Sequence, residues 1–136
     1  GNESEPLCKG LRKKHLHINW WKALRIRSPK DLQKAKSYQG HIDSILLDAW
    51  SPHNLGGTGQ KLPLEWIKDC NFEISWWIAG GIEGSCIQDL LDQVQPFGID
   101  ASSKLEISPG IKDLTKVKEL MNAVKNFDIK KNKMSS

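Results

Sequence analysis

Three short stretches of the chain, residues 18–24, 42–47 and 74–79, are apolar almost without a break, and each precedes a segment with helical or glycine-rich character. Strands that alternate apolar and polar residues have one wet face. Strands apolar at successive positions are those covered on both faces, as in a parallel sheet clothed by helices. A fourth, shorter run at residues 98–101 continues the series. The helices between are legible from their ends. Ser28-Pro29, then Leu32, Ala35, Tyr38 and Gly40, reads as an N-cap, a proline at the first helical position, an apolar stripe and a glycine stop. Ile87, Leu90, Leu91 and Val94 recur at helical spacing behind a cap at Ser85, and Leu114, Val117, Leu120, Met121 and Val124 do so after Pro109-Gly110. Weaker helical signals lie at residues 4–14, with Leu7 and Leu11 four apart, and at 63–68. A leading helix followed by four strand–helix pairs is an α/β order. Its parallel strands require right-handed crossovers, which leaves a doubly wound sheet or a β/α barrel. The pairs Trp20-Trp21 and Trp76-Trp77 suit either as core packing, because adjacent strand residues face opposite sides.

The strand ends recur about every 27 residues, so eight units would need roughly 215, within the range of a complete (β/α)8 barrel. Four units are present. The chain of 136 residues opens on Gly1 without an initiator Met, and its first helix has no strand before it. The expectation is a piece of a longer polypeptide. There is no run of about 18 apolar residues and no signal-peptide pattern at the start, which excludes membrane-spanning and secretory readings. Twenty Lys and Arg against 16 Asp and Glu give a net charge of +4, but acids and bases are interleaved, so a phosphorylated small molecule fits better than a nucleic acid. Cys8, Cys70 and Cys86 have neither metal-site spacing nor the even count of a disulfide framework, pointing to packing roles in a reducing cytoplasm. No metal site is expected from His15, His17, His41 and His53.

Ligands of barrels and open parallel sheets bind at the carboxyl ends of the strands. Here those ends carry Asp48, with Gly56, Gly57, Thr58 and Gly59 beyond it, then Gly80-Gly81, then Asp100-Ala101-Ser102-Ser103. A single Gly-Gly is more often a turn than a site. Two loops rich in glycine and serine after successive strands, the last two of the chain, match a phosphate site whose donors are backbone N–H groups and hydroxyls. Because barrels often place that site after strands seven and eight, the four strands are numbered five to eight. The expected fold is the C-terminal half of a (β/α)8 TIM barrel with outer helices. Asp48 then ends strand six on the same face as Leu46, although a carboxylate there is also an ordinary turn residue.

Asp48, Gly56-Gly57-Thr58-Gly59, Ala79-Gly80-Gly81, Asp100-Ala101-Ser102-Ser103 with Glu106, and Gly110-Ile111-Lys112-Asp113, in this order and spacing, resemble the C-terminal half of the phosphoribosylanthranilate isomerase family, in wording most like cyanobacterial members. The likeness spans residues 1–125, leaving 126–136 as a disordered tail. It implies a cofactor-free Amadori rearrangement in tryptophan biosynthesis, with Asp48 as the general acid. Gly80, Gly81, Asp100, Ser102 and Ser103 would hold the substrate phosphate and sugar, and Gly56, Gly57 and Gly59 a mobile active-site loop. The chain departs from the family at Gln60, at Lys104 and at Glu83-Gly84-Ser85, where many members have Lys, Gly or Arg, and a Pro-x-Asn pattern. The family's general base, a Cys ending strand one, and an Arg on the anthranilate side match nothing here, so the chain alone is expected to be inactive or nearly so. A non-catalytic phosphate-binding half-barrel completed by a partner is the alternative. Unpaired edge strands would favour a homodimer or association with the missing half.

Overall fold

Four strands, β1 (Trp21–Ile26), β2 (Ser44–Ala49), β3 (Ser75–Ala79) and β4 (Gly98–Asp100), pair in parallel in the order of the sequence. A computed structural model of the chain describes residues 2–49 and 61–134. Lys22, Leu24 and Ile26 of β1 stand in register with Ile45, Leu47 and Ala49 of β2, which continue into Trp76 and Ile78 of β3. This face is covered, and Ile45, Leu47 and Ile78 at its centre are fully buried. Against it lie α2 (Pro29–Ser37) and α3 (Ile87–Gln93) through Leu32, Ala35, Ile87 and Leu90. α4 (Leu114–Met134) packs on α3 and on the 3₁₀ turn Gly84–Cys86. The opposite face carries Trp21, Ala23, Arg25, Leu46, Asp48, Trp77 and Asp100, none of them buried.

The half-barrel expected from the sequence is therefore corrected. The described chain forms an open four-stranded parallel sheet in which β1 and β4 are each paired on one side only, with helices on one face. Continuous apolar runs report what the residues are and not what covers them. Trp21, Leu46 and Trp77 are apolar yet lie on the uncovered side. The tryptophan pairs do face opposite ways: Trp77 stacks with Trp21 at 4.9 Å between ring centroids on the open face, and Trp76 lies 5.9 Å from Phe72.

Local chemistry sets the boundaries. β1 starts later than its apolar run because the Trp20 backbone is committed elsewhere: its N–H donates to Asp43 Oδ2 (2.8 Å) and its carbonyl accepts from the N–H of Asp43 (2.8 Å) and Ser44 (3.2 Å). α2 opens as its sequence foretells. Asp31 Oδ2 accepts from the backbone N–H groups of Arg27 (2.9 Å) and Ser28 (3.1 Å), and Pro29 occupies the first turn. Gly40, at φ 83°, then takes the left-handed conformation that ends the segment. α4 is capped by Asp113, whose Oδ1 accepts from the Thr115 N–H at 2.9 Å. It continues as helix to Met134, past the apolar stripe and through most of the residues assigned to a tail. A short antiparallel hairpin, β5 (Glu106–Ser108) and β6 (Ile111–Lys112), was not foreseen. Among the described residues no helix is long and apolar enough to cross a membrane.

The amino-terminal arm is tied to the sheet by a polar clasp. Lys22 is 3 % exposed on the helix-covered face. Its ammonium lies 2.6 Å from Glu3 Oε2 and 5.5 Å from the centre of the Tyr38 ring, and the Tyr38 hydroxyl donates to the Glu3 carbonyl at 2.9 Å. α1 (Glu5–Lys14) then adds Arg12, whose guanidinium pairs with Asp43 Oδ1 (2.8 Å) and donates to the Ile42 carbonyl (2.7 Å). The hydrogen bond from Lys22 holds the Glu3 carboxyl at a pKa of about 2, below its ordinary 4.5. A depressed carboxylate stabilises the folded state above its unfolded pKa, and that contribution disappears as pH falls through the folded value. The Glu3→Gln variant should thus melt below the wild type at pH 6, with the difference shrinking between pH 4.5 and 2. Thermal denaturation followed by circular dichroism across that window checks this, and a difference independent of pH would disprove the ionic clasp.

Candidate active site

Parallel register brings the carboxyl ends of the strands level. Arg25 stands opposite Asp48, Asp48 opposite Ala79, and Ala79 opposite Asp100, so these four form one row across the uncovered face. Asp48 is half-buried at the end of β2. Burial raises its pKa; the Arg25 charge lowers it, the Asp100 charge raises it and a hydrogen bond from the Ala49 backbone lowers it. The net direction is upward, which keeps a proton on the carboxyl to higher pH than in water. A protonated carboxyl can donate to an oxygen that is gaining negative charge.

Beyond β3 the chain turns at Gly80 (φ 95°) and Gly81 (φ 65°). A side chain at either position would strain the backbone, so the glycines are required by the turn itself. On the helix side, a cleft of about 140 Å³ opens beside Gly80, lined by apolar Leu62, Leu64, Ile78, Ile82 and Leu90 together with Lys61, Cys86 and Asp89. Beyond β4, Ala101 and Ser102 lead into the 3₁₀ turn Ser103–Leu105, in which the Leu105 N–H donates to the Ser102 carbonyl at 3.0 Å. Leu105 anchors the turn by burial, and its carbonyl accepts from the Asp113 N–H at 2.7 Å. The Ser102 hydroxyl points to the hairpin: Lys112 Nζ lies 3.1 Å away and Glu106 Oε1 3.5 Å away.

The structure thus gathers Asp48, Gly80, Gly81, Asp100, Ser102 and Ser103 at the carboxyl ends of β2, β3 and β4. Gly56, Gly57 and Gly59 lie outside the described residues. Cys8 lies in α1, Cys70 follows the 3₁₀ turn Leu64–Trp66 and Cys86 ends another 3₁₀ turn, so none stands at a strand end. Among the described residues no group of three or more His, Cys, Asp or Glu is arranged to hold a metal ion. Two participants escaped the sequence reading. Arg25 was hidden because only the register of β1 on β2 makes it the neighbour of Asp48. The Glu106–Lys112 pair was noted only as part of a motif; Pro109-Gly110 between the two was the turn signal that could have shown them facing each other.

The fold and the site define an α/β protein with parallel strands whose carboxyl ends carry an acid and glycine–serine loops, and comparison with known proteins narrows that class. The family profile described as "N-(5'phosphoribosyl)anthranilate (PRA) isomerase" matches residues 1–123, so the chain belongs to that family. The N-(5'-phosphoribosyl)anthranilate isomerase of Rippkaea orientalis is 39% identical over 131 residues, 96% of this chain and 61% of that protein. The one from Synechocystis is 41% identical over 120 residues, 88% and 55% of the respective chains. The crystal structure of phosphoribosyl anthranilate isomerase from Thermotoga maritima superposes with a TM-score of 0.78 at 30% identity, covering 93% of this chain and 59% of that one. The chain therefore spans little more than half the length of the curated relatives it matches.

The charge balance at Asp48 is open to direct measurement. Asp100→Asn should lower the titration midpoint of the Asp48 carboxyl and Arg25→Met should raise it, followed by carbon-13 NMR of the side-chain carboxyl. Unchanged midpoints in both variants would mean that burial alone governs the proton.

Proposed function

We propose that these residues take part in the isomerisation of N-(5-phosphoribosyl)anthranilate to 1-(2-carboxyphenylamino)-1-deoxyribulose 5-phosphate, a step of tryptophan biosynthesis in the cytoplasm. The observation that carries the reading is Asp48, its pKa raised by burial, in a row with Arg25 and Asp100 at the strand ends, beside two loops suited to an anion. In this reading the Asp48 carboxyl donates its proton to the furanose ring oxygen as the C1–O bond opens. The nitrogen lone pair completes an iminium, loss of the C2 proton gives an enol, and return of a proton to C1 with loss of the enol O–H proton gives the ketose. No redox partner or metal is required by that balance. Gly80, Gly81, Asp100, Ser102 and Ser103 hold the phosphate and the adjacent sugar, and Gly56, Gly57 and Gly59 belong to a loop over the site. None of the three cysteines stands at the end of a strand, so the isolated chain is expected to bind the phosphosugar and turn it over slowly or not at all.

The test is a chimera in which the amino-terminal segment of the Synechocystis relative precedes these residues. Asp48→Asn in that chimera should lower kcat by about 10²–10⁴-fold with KM changed far less, because general acid catalysis acts in the transition state. A variant keeping most of its turnover removes Asp48 from the acid role. A chimera that binds the phosphosugar yet never turns it over would favour a non-catalytic binding module.

The same proposal includes a partner. Two outer strands paired on one side only and an uncovered face bearing half-exposed Trp21 favour association with a second copy or with the polypeptide that completes the site. Sedimentation of the 136-residue chain at low micromolar concentration should give species heavier than 15.4 kDa. A single monomeric species with cooperative unfolding would show that the face needs no cover.

A further inference from the structure

The loop after β4 is too short to hold its own shape. Between β4 and the hairpin its regular element is a three-residue 3₁₀ turn, a form with poorer hydrogen-bond geometry than the α-helix. One end is fixed by buried Leu105. The other end, at Ser102, is fixed from the far side of the hairpin. Lys112 Nζ donates to the Ser102 carbonyl at 3.0 Å, to the Ser102 hydroxyl at 3.1 Å and to Glu106 Oε1 at 2.7 Å. An ammonium has three donors, and all three are used. Glu106 in turn accepts from the Gly110 N–H through Oε2 at 3.2 Å, and its backbone carbonyl accepts from Lys116 Nζ at 3.1 Å.

Resting on the phosphate-loop reading above, we propose that Lys112 is a positioning residue for that loop: it holds the Ser102 carbonyl and hydroxyl toward the hairpin and so sets the course of the chain through Ser103, where that reading puts the phosphate. Two features separate this role from direct binding of the anion. The ammonium has no donor left to offer a ligand, and its charge is already neutralised by Glu106 at 2.7 Å. The Ser102 hydroxyl, which the sequence suggests as a phosphate ligand, is instead a member of the clasp. Contact with phosphate then falls to the loop backbone, that of Ser102 included, and to the Ser103 hydroxyl. A lysine whose stem spans from β6 to Ser102 is needed because the carbonyl and the carboxylate it joins lie on two different segments of the loop.

The experiment titrates inorganic phosphate into the nitrogen-15-labelled 136-residue chain and follows the Ser103 amide. The wild type should shift at millimolar phosphate. Lys112→Met should weaken binding about tenfold, the scale of losing a charged hydrogen-bonding group, with the melting temperature within about 3 °C because the side chain is largely on the surface. Lys112→Arg, which can bridge carbonyl and carboxylate with its fork, should restore binding to within about threefold. Glu106→Gln keeps the acceptor for Gly110 but removes the ion pair, and should fall between the two. Combined with Lys112→Met it should add little, since both act through one clasp. Lys112→Met that binds as well as the wild type, or Lys112→Arg that binds as poorly as Lys112→Met, overturns the positioning role. A wild-type chain that shows no shift overturns the phosphate reading itself and this proposal with it, an outcome distinct from intact binding in the variants.

Discussion

Parallel pairing in the order of the sequence is the constraint on which the rest of the structure depends. It fixes a direction, so every strand delivers its carboxyl end to the same edge, and it fixes a register, so residues far apart in sequence become neighbours in a row. The side-chain period of two then sorts each strand between a face packed with helices and a face left open. Arg25, Asp48 and Asp100 owe their proximity to this sorting alone. A one-residue slip of β2 on β1 would send Asp48 among Leu32 and Ile87 and turn Leu47 outward. The burial of Ile45 and Leu47 therefore secures the register and, with it, the setting of the carboxyl.

The site divides its work between a rigid sheet and short loops held by polar bonds. Asp48 sits on a strand whose neighbours do not move independently, which suits a group whose proton affinity depends on burial and on two charges nearby. The glycine and serine loops have no such support from the sheet. Gly80-Gly81 takes its shape from the backbone conformation that glycine allows. The loop after β4 is tied by Lys112 to Ser102 and Glu106, and the hydrogen bond from Lys112 holds the Glu106 carboxyl below the usual carboxylate range.

Much of this was legible in the sequence. The four strands, α2, α3 and α4 follow from apolar runs and the start of α2 from its cap at Ser28, whereas Ser85 lies inside a 3₁₀ turn and not at the head of α3; family membership follows from a handful of loop motifs in order. What sequence could not supply was what covers what. Residues 18–24 and 42–47 read as doubly covered strands, yet the structure leaves Trp21 and Ala23 exposed and Leu46 partly so. Closure of a sheet is a property of long-range pairing, which no local pattern encodes, and the half-barrel expectation failed at that point. The hairpin escaped because its strands, of three and two residues, are shorter than any periodicity can register. Arg25 escaped because its role exists only across a strand pair.

The open face carries a consequence of another kind. Trp21 and Trp77 lie with ring centroids 4.9 Å apart, and Phe97 extends the series 5.8 Å from Trp77. Indoles this close couple their electronic transitions, and Trp21 is 50% exposed while Trp77 is partly buried. The sheet thus contains its own optical gauge. Whatever comes to rest on that face will exclude water from one member of the pair and alter the coupling of both, registering its arrival as a change in tryptophan emission and ultraviolet dichroism, without a label.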